Sequence, residues 1–429
     1  MVDKSINHSL KFDHFDKFIR EESHSLPGWI TKERVHALKT LDSFESSLMK
    51  SSTWKNKKLD FMINNFFEKE FKEKRSSKSL IKNKLIDKTE YFTDSIRIYF
   101  YGGVFFSDEE LPNYISFLRQ EYSEKHKSIF SLSNRSDRQA LPCLLNNIIS
   151  KDALIIKTKK NQNIENLIHI IHLPHHNLNV APRINIKLAE NSSIEILEEQ
   201  YQSNKSIINN LIDIKCDTNA SLELYKINHA QQDSFHIDNS YIDQNQNSKV
   251  KIFNLDLGGD SANSLINIKL NGENSEGACS TLFMPTENRS SHQNIVIDHL
   301  SDKTSSSVNF RGVINDDALG SFYGKVRVAK ERKQTLAFMQ NKNLLLTDNA
   351  KISTIPILEI YNDDTECSHS ATSGSLDKEK LFYLKTRGIN EDDAKDFLIK
   401  SFIDELASQI KSRRLRDYVN EIIAGNYKV

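Results

Sequence analysis

Residues 183–196 read Arg-Ile-Asn-Ile-Lys-Leu-Ala-Glu-Asn-Ser-Ser-Ile-Glu-Ile. Ile184, Ile186 and Leu188 alternate with polar residues, the polar cluster Glu190-Asn-Ser-Ser193 interrupts, and Ile194 and Ile196 resume the alternation. A period of two marks a strand with one face buried, and an Asn/Ser cluster between two such runs marks a turn. The unit recurs in Ser221-Leu-Glu-Leu224, Lys249-Val-Lys-Ile252, Ile266-Asn-Ile-Lys-Leu270 and Lys325-Val-Arg-Val328, with intervening turns at Asp217-Thr-Asn-Ala-Ser221, Asn245-Gln-Asn-Ser248 and Glu273-Asn-Ser-Glu276. The turn asparagines Asn191, Asn219, Asn247 and Asn274 are 28, 28 and 27 residues apart. A repeat of this length with no helical pattern inside it predicts a coiling sheet, each turn burying its apolar side against the next. A β-sandwich also supplies short alternating strands, but it does not require such even spacing. The expected class is mainly β, with a β-helix core over residues 151–362 and helical flanks.

Outward from that core the period changes on both sides. In residues 1–150, Phe12, Phe15, Phe18 and Ile19 recur at helical spacing, and after Pro27-Gly28 so do Val35, Leu38 and Leu41. Trp54-Lys55 and a lysine-rich run from Lys69 to Lys84 follow; the run reads as a solvated face or linker. Ile96, Ile98 and Phe100 alternate as a strand, residues 109–122 read as helix-like, and Leu141–Ile149 as a short buried helix. In residues 363–429, Asp377 is a good N-cap and Gly388 a good stop for one helix, and Asn390 caps a second with Asp392 and Asp393 in its first turn. The second helix is expected to bury Ala394, Leu398, Phe402 and Leu406; a third carries Leu415, Tyr418, Val419 and Ile422 on one face. A unit of this size needs to dock on the β body or on a partner.

Composition narrows the function classes. Lys+Arg and Asp+Glu are equal at 58 each over 429 residues, which argues against a polyanion-binding surface and so against nucleic acid as the main partner. No run approaches the 18 apolar residues of a spanning helix, and the first residues lack an apolar signal core, so neither membrane nor secretion is expected and the cytoplasm is the default. The four cysteines, Cys143, Cys216, Cys279 and Cys367, are widely spaced and form no CxxC pair, which excludes a disulfide framework and a zinc ribbon.

Three constellations carry potential chemistry. Asp256, Asp260, Asp298 and Asp302 are the carboxylates a polysaccharide-cleaving β-helix enzyme would use, but no spacing singles them out from solvated turn residues. His169, His172, His175 and His176 cluster around Pro174; the i,i+4 pair is a chelate only on a helix, and the flanking pattern is extended. Cys367-Ser-His369 places a thiol and an imidazole at i and i+2, on one side of an extended chain. That pair suits iron, zinc or copper, and also a nucleophile and base, although strand neighbours are poorly placed for in-line proton transfer. Two donors fall short of the usual four. Glu366, Asp363 and Asp364 are the nearby oxygen donors, and otherwise another chain must complete the site.

Pro356-Ile-Leu-Glu-Ile360, Asn362-Asp-Asp364, Cys367-Ser-His369, Ala371-Thr372, Leu376-Asp377, Leu381-Phe-Tyr-Leu384 and Arg387-Gly-Ile389 closely resemble the SufB/SufD family of iron–sulfur cluster assembly scaffolds. Upstream, Arg311-Gly-Val313, Gly320, Gly324-Lys325, Gln334-Thr335 and Asn343-Leu-Leu-Leu346 fit the same pattern, and Trp54-Lys55 more loosely. The Cys-Ser-His wording is similar to the SufD branch; the SufB branch usually has glutamate-histidine-glutamate there and a cysteine where this chain has Leu384. Ser370 and Ser373 depart from the usual glycine and apolar residue. The resemblance implies a right-handed parallel β-helix between helical N- and C-terminal domains, with no enzymatic activity of its own. It implies pairing with a SufB-like paralogue through the β-helix and with a SufC-like ABC ATPase through the C-terminal helices, ATP entering only through that partner. It further implies that a transient iron–sulfur cluster forms at the shared interface, with His369 the leading candidate ligand and Cys367 a weaker one. The alternatives are a purely structural stabiliser of the paralogue and the polysaccharide-cleaving enzyme.

Overall fold

The computed structural model describes residues 15, 18–21, 26–48, 90–120, 122–130, 141–173, 179–201, 206–229 and 233–426. Phe12, Trp54-Lys55, the Lys69–Lys84 run, Pro174, His175 and His176 lie outside the described residues. The N-terminal part contains helix α1 (Gly28–Leu48), a 3-10 turn at Glu90–Phe92, strands β1 (Ile96–Tyr101), β2 (Val104–Phe106) and β3 (Ile115–Phe117), and helices α2 (Lys127–Phe130) and α3 (Leu141–Ile149). The helix-like reading of 109–122 is corrected here: Ile115 and Phe117 alternate inward on a short strand that pairs antiparallel with β4 (Leu154–Lys157). Pro112, which lacks an N–H, precedes it, and a ready strand edge wins over helical propensity.

Strands β5 (Ile168–His172), β6 (Asn179–Val180), β7 (Arg183–Leu188), β8 (Ser193–Tyr201), β9 (Ile207–Cys216), β10 (Ser221–His229), β11 (Phe235–Gln244) and β12 (Lys249–Asp256) open the solenoid. Strands β13 (Ser261–Leu270), β14 (Glu276–Phe283), β15 (Ser290–His299), β16 (Ser305–Ile314), β17 (Leu319–Val328), β18 (Thr335–Leu345), β19 (Lys351–Ile360) and β20 (Thr365–Gly374) complete it. From β7 onwards odd and even strands segregate into two sheets. One has the order β2-β1-β5-β8-β10-β12-β14-β16-β18-β20, the other β19-β17-β15-β13-β11-β9-β7-β4-β3. All solenoid neighbours are parallel, so the expected mainly β, parallel solenoid is what the chain forms.

Parallel register stacks like on like. Ile194, Leu222 and Val250 are register partners, as are Ile196, Leu224, Ile252 and Cys279, and all are buried in the shared interior core. Each such aliphatic side chain contributes roughly 1.5–3 kcal/mol on burial. The asparagines that set the repeat hold one corner of the coil. Asn161, Asn191, Asn219, Asn247 and Asn274 all have φ between 55° and 61°, a left-handed turn that asparagine tolerates. Their amides form a ladder: Asn191 donates to Asn161 (2.7 Å), Asn219 to Asn191 (2.8 Å), Asn247 to Asn219 (3.0 Å) and Asn274 to Asn247 (3.2 Å).

The two ends of the solenoid differ. At the first end, antiparallel β2 and β3 close both sheets, and Phe100, Phe105 and Phe117 fill the interior. Buried Asp152 ties this closure together by accepting from the backbone N–H of Phe105 (3.1 Å) and Arg119 (3.0 Å). Helices α1 and α3 cover the adjoining outer face, where Leu38, Leu41, Leu145 and Ile148 pack with Ile207 and Phe235. At the other end, β19 and β20 each have one neighbour, and no strand among the described residues pairs with their outer edges.

Helices α4 (Lys378–Thr386), α5 (Glu391–Ala407) and α6 (Arg413–Asn426) follow β20. Their caps are as read from sequence: the Asp377 carboxylate accepts from the N–H of Glu379 and Lys380, Gly388 sits at φ 86°, and the Asn390 side chain accepts from the N–H of Asp393. The last two helices dock on the outer face of the even-stranded sheet, Ile399, Ile403, Leu415, Tyr418 and Val419 against Leu197, Tyr225, Phe253 and Leu282. The buried stripe of α5 is turned from the expected one: Ile399 and Ile403 are buried, whereas Leu398 and Phe402 are only partly so. Both stripes share Ala394 and Leu406, and the docking surface rather than the helical period chooses between them. Helix α4 buries no residue.

Candidate functional site

Cys367 and His369 lie on β20, the last strand of the solenoid. The turn before it is fixed by the Asn362 side chain, which accepts from the N–H of Asp364 (3.0 Å), while the Asp364 carbonyl accepts from the N–H of Gln334 (2.8 Å). Register pairs Cys367 with Ala337 and His369 with Met339, both buried interior residues of β18. Alternation therefore puts Cys367 and His369 on the lumen-facing side of the last rung. Cys367 is half-buried against the interior core, and burial raises its thiol pKa, so the thiol rather than the thiolate dominates at neutral pH in this chain alone. His369 is exposed because nothing in the described chain covers the mouth.

The expected oxygen donors do not join them. Glu366 is one residue from Cys367 and so faces the opposite side of the strand, and Asp363 and Asp364 belong to the preceding turn. Among the described residues no three His, Cys, Asp or Glu side chains come together to hold a metal ion. A thiol and an imidazole on one face suit iron in kind, and two donors are fewer than the usual four.

The histidine group resolves into something else. His169 and His172 are fully buried on β5, and each is engaged by a carboxylate: His169 Nε2 to Glu199 (2.6 Å) and His172 Nε2 to Glu198 (2.9 Å). The two glutamates face opposite sides of β8. Glu198 points into the lumen, beside the Lys226 ammonium (3.4 Å), which also meets Asp238 (2.5 Å) and Ser240 (2.9 Å) from the facing sheet. Burial by itself would raise the Glu198 pKa, but Lys226 and His172 outweigh it and hold it down at about 2. Glu199 points outward beneath α6, where it accepts from Tyr418 OH (2.7 Å), Tyr201 OH (3.0 Å) and His229 Nε2 (2.9 Å) as well as His169. Against the same desolvation these donors keep it well below the ordinary range.

Two of the carboxylates weighed for polysaccharide cleavage are structural too. Asp256 is buried in the lumen, hydrogen-bonded to Ser291 (2.5 Å), Gln293 (2.6 Å) and Asn228 (2.7 Å), and Asp298 pairs with Arg327 (2.9 Å). The reading of Asp256 as a solvated turn residue is thereby overturned. The one sequence signal for the buried network was Glu198-Glu-Gln200, which breaks the alternation without a turn residue. Also missed from sequence were three exposed aromatic side chains on α4 and α5, Phe382, Tyr383 and Phe397 at 69%, 56% and 60% exposure.

The architecture is thus a parallel solenoid with one closed end, one open end bearing a thiol and an imidazole, and a docked helical arm. Residues 171–402 match the model of the SUF system FeS cluster assembly SufBD core domain, and the chain belongs to that family. It is 36% identical over 163 residues to the iron–sulfur cluster assembly protein SufD of Escherichia coli, an overlap covering 38% of each chain. It is 25% identical over 308 residues, 68% of each chain, to a SufBD family protein of Synechocystis. A chloroplastic protein of Arabidopsis thaliana is 26% identical over 249 residues, 57% of this chain and 52% of that one.

The motif glycines have steric reasons. A Cβ at Gly312 would lie 2.6 Å from the Phe283 ring, and one at Gly324 2.5 Å from the Phe322 ring, so the interior aromatics leave room only for hydrogen. No helix among the described residues is long and apolar enough to cross a membrane.

Proposed function

We propose that this chain is a SufD-type scaffold subunit of a cytoplasmic SUF assembly complex. It acts without catalysis of its own, on a nascent iron–sulfur cluster that is its cargo. The observation that carries this is the last rung: β20 offers a backbone edge that no strand among the described residues pairs with and, on its lumen side, Cys367 and His369. An open parallel rung is a template for another strand, so a SufB-like paralogue with its own open rung can continue the sheets and bring the missing donors. His369 is the main ligand candidate, because it is exposed, and Cys367 the lesser one, because burial keeps its thiol protonated. The exposed aromatics Phe382 and Tyr383, on a helix that buries nothing, and Phe397 on the next helix are the surface offered to a SufC-like ABC ATPase, through which alone ATP enters. Nucleotide-driven movement of that partner would act on the helical arm and open the shared site to iron and sulfide.

The test is His369→Ala in the co-expressed complex, purified anaerobically. The complex is expected to assemble and its cluster absorbance to be lost; wild-type cluster yield would leave the chain as a purely structural stabiliser of its paralogue. Cys367→Ser is expected to lower the yield without abolishing it.

A further inference from the structure

Polar contacts hold the described arm to the solenoid in three places: at α6, at the α5–α6 turn, where Gln409 accepts from Ser280 (2.6 Å) and Lys411 meets Glu223 (3.5 Å), and at α5. Helix α6 is fixed at the early rungs and the N-terminal segment: Tyr418 bonds Glu199 of β8, and Arg414 pairs with Asp94 (2.6 Å) while its guanidinium lies over the Phe92 ring. Helix α5 is fixed near the open end. Arg311, fully buried and facing outward from β16, donates to the Phe402 carbonyl, lies over the Phe402 ring (5.0 Å) and meets the Glu405 carboxylate at 2.5 Å. The same Glu405 oxygen stands 3.6 Å from the Lys342 ammonium of β18.

We propose that Glu405 is a positioning residue that joins the α4–α5 arm to the last three even strands and thereby holds the strand carrying His369. Arg311, Lys342 and Thr372 are register partners on β16, β18 and β20, so Glu405 spans the first two directly. The next step is made by Asn343, whose amide donates to Ser373 Oγ (3.2 Å) and the Thr372 carbonyl (3.4 Å) on β20. On the other side, Lys385 of α4 pairs with Glu391 of α5 (2.8 Å), an exposed contact that links the two helices across their short turn. A buried guanidinium demands a carboxylate partner, so the joint cannot slide without exposing Arg311. Load on the arm therefore reaches β16 and β18 first, whereas α6 stays with β8. This deepens the proposed function and rests on its reading of the arm as the receiver of the ATPase stroke.

Amide hydrogen exchange decides the joint on the full chain alone. Glu405→Gln keeps the shape and removes the charge, and is expected to speed exchange of the β20 amides about fivefold. Glu391→Gln, which breaks an ion pair within the arm, should leave them unchanged. Lys342→Met should speed them too, and in that background Glu405→Gln should add little, because the two act through one contact. Unchanged β20 exchange in Glu405→Gln, or full additivity of the pair, overturns the proposal, and the partly exposed Lys342 keeps the test open should Glu405→Gln prove unstable. In the complex with the ATPase, ATP is expected to change β20 exchange in wild type and not in Glu405→Gln. A response retained in the variant overturns the joint, while no response in wild type sinks the reading of the arm and not the contact.

Discussion

The two ends of the solenoid are built from the same rung and finished in opposite ways. The first end turns its strands back antiparallel, packs Phe100, Phe105 and Phe117 into the lumen and lays helices over one face. The last end keeps its strands parallel, leaves their edges bare and puts Cys367 and His369 where the first end has phenylalanines. Edge strands left open are an aggregation hazard that monomeric proteins blunt. Ile355 and Phe338, 49% and 41% exposed beside the bare edges, show no such blunting. The contrast separates what a repeat needs to terminate from what it needs to associate: the first end is finished for stability, and the last, on the proposed function, is left for a partner.

Substitutions at the two ends should therefore fail differently. Phe105→Ala is expected to cost about 3–5 kcal/mol in denaturant unfolding, by opening a cavity in the closed end, while the fraction that stays folded still pairs with the paralogue. A loss of pairing without a loss of stability would break the comparison. Next in size is Gly312→Ala, where the added methyl meets the Phe283 ring; about 1–3 kcal/mol of overpacking is expected, read from the same unfolding curves.

Acid should act on the body between the ends. Glu198 and Glu199 titrate below their unfolded range, which lies near 4.5, so their contribution is complete above that pH and is lost as pH falls from about 4.5 towards 2. Burial likewise pushes His299 down to about 4, below its unfolded 6.5, which starts a shallower decline from pH 6.5 downwards. Thermal melts from pH 7 to 3 should show both phases, and Glu199→Gln should flatten the lower one. The smallest stability effect belongs to the open end. Ile355→Ser is expected to change unfolding by less than about 0.5 kcal/mol and yet to weaken pairing measurably in a pull-down or by ultracentrifugation; unaltered pairing would show that the bare edge of the odd-stranded sheet is not the contact.

Much of this was readable from the chain. Strands, turns and caps are local, so the alternation at 183–188, the asparagine spacing and the Asp377, Gly388 and Asn390 signals each reappear at the residues expected. The strand ends were not readable: the alternation in Ser193–Ile196 stops, yet β8 runs on to Tyr201 with charged residues buried on both faces. Apolar periodicity cannot follow a strand whose inner face turns from aliphatic to ion-paired. The pair Cys367 and His369 could be placed on one side of one strand, but not on an open rung.

The sequence by itself determined the repeat, and with it the parallel stacking of like residues, because a 28-residue recurrence of strand and turn is a property of neighbours along the chain. Only the tertiary structure decided which groups those strands would bury or leave bare. Glu199 is charged and inside because Tyr418, 219 residues away, comes to lie over it. His369 is exposed because, among the described residues, no later strand comes to lie beside β20. Burial is a statement about what covers a residue, and here the covering comes from elements remote in sequence.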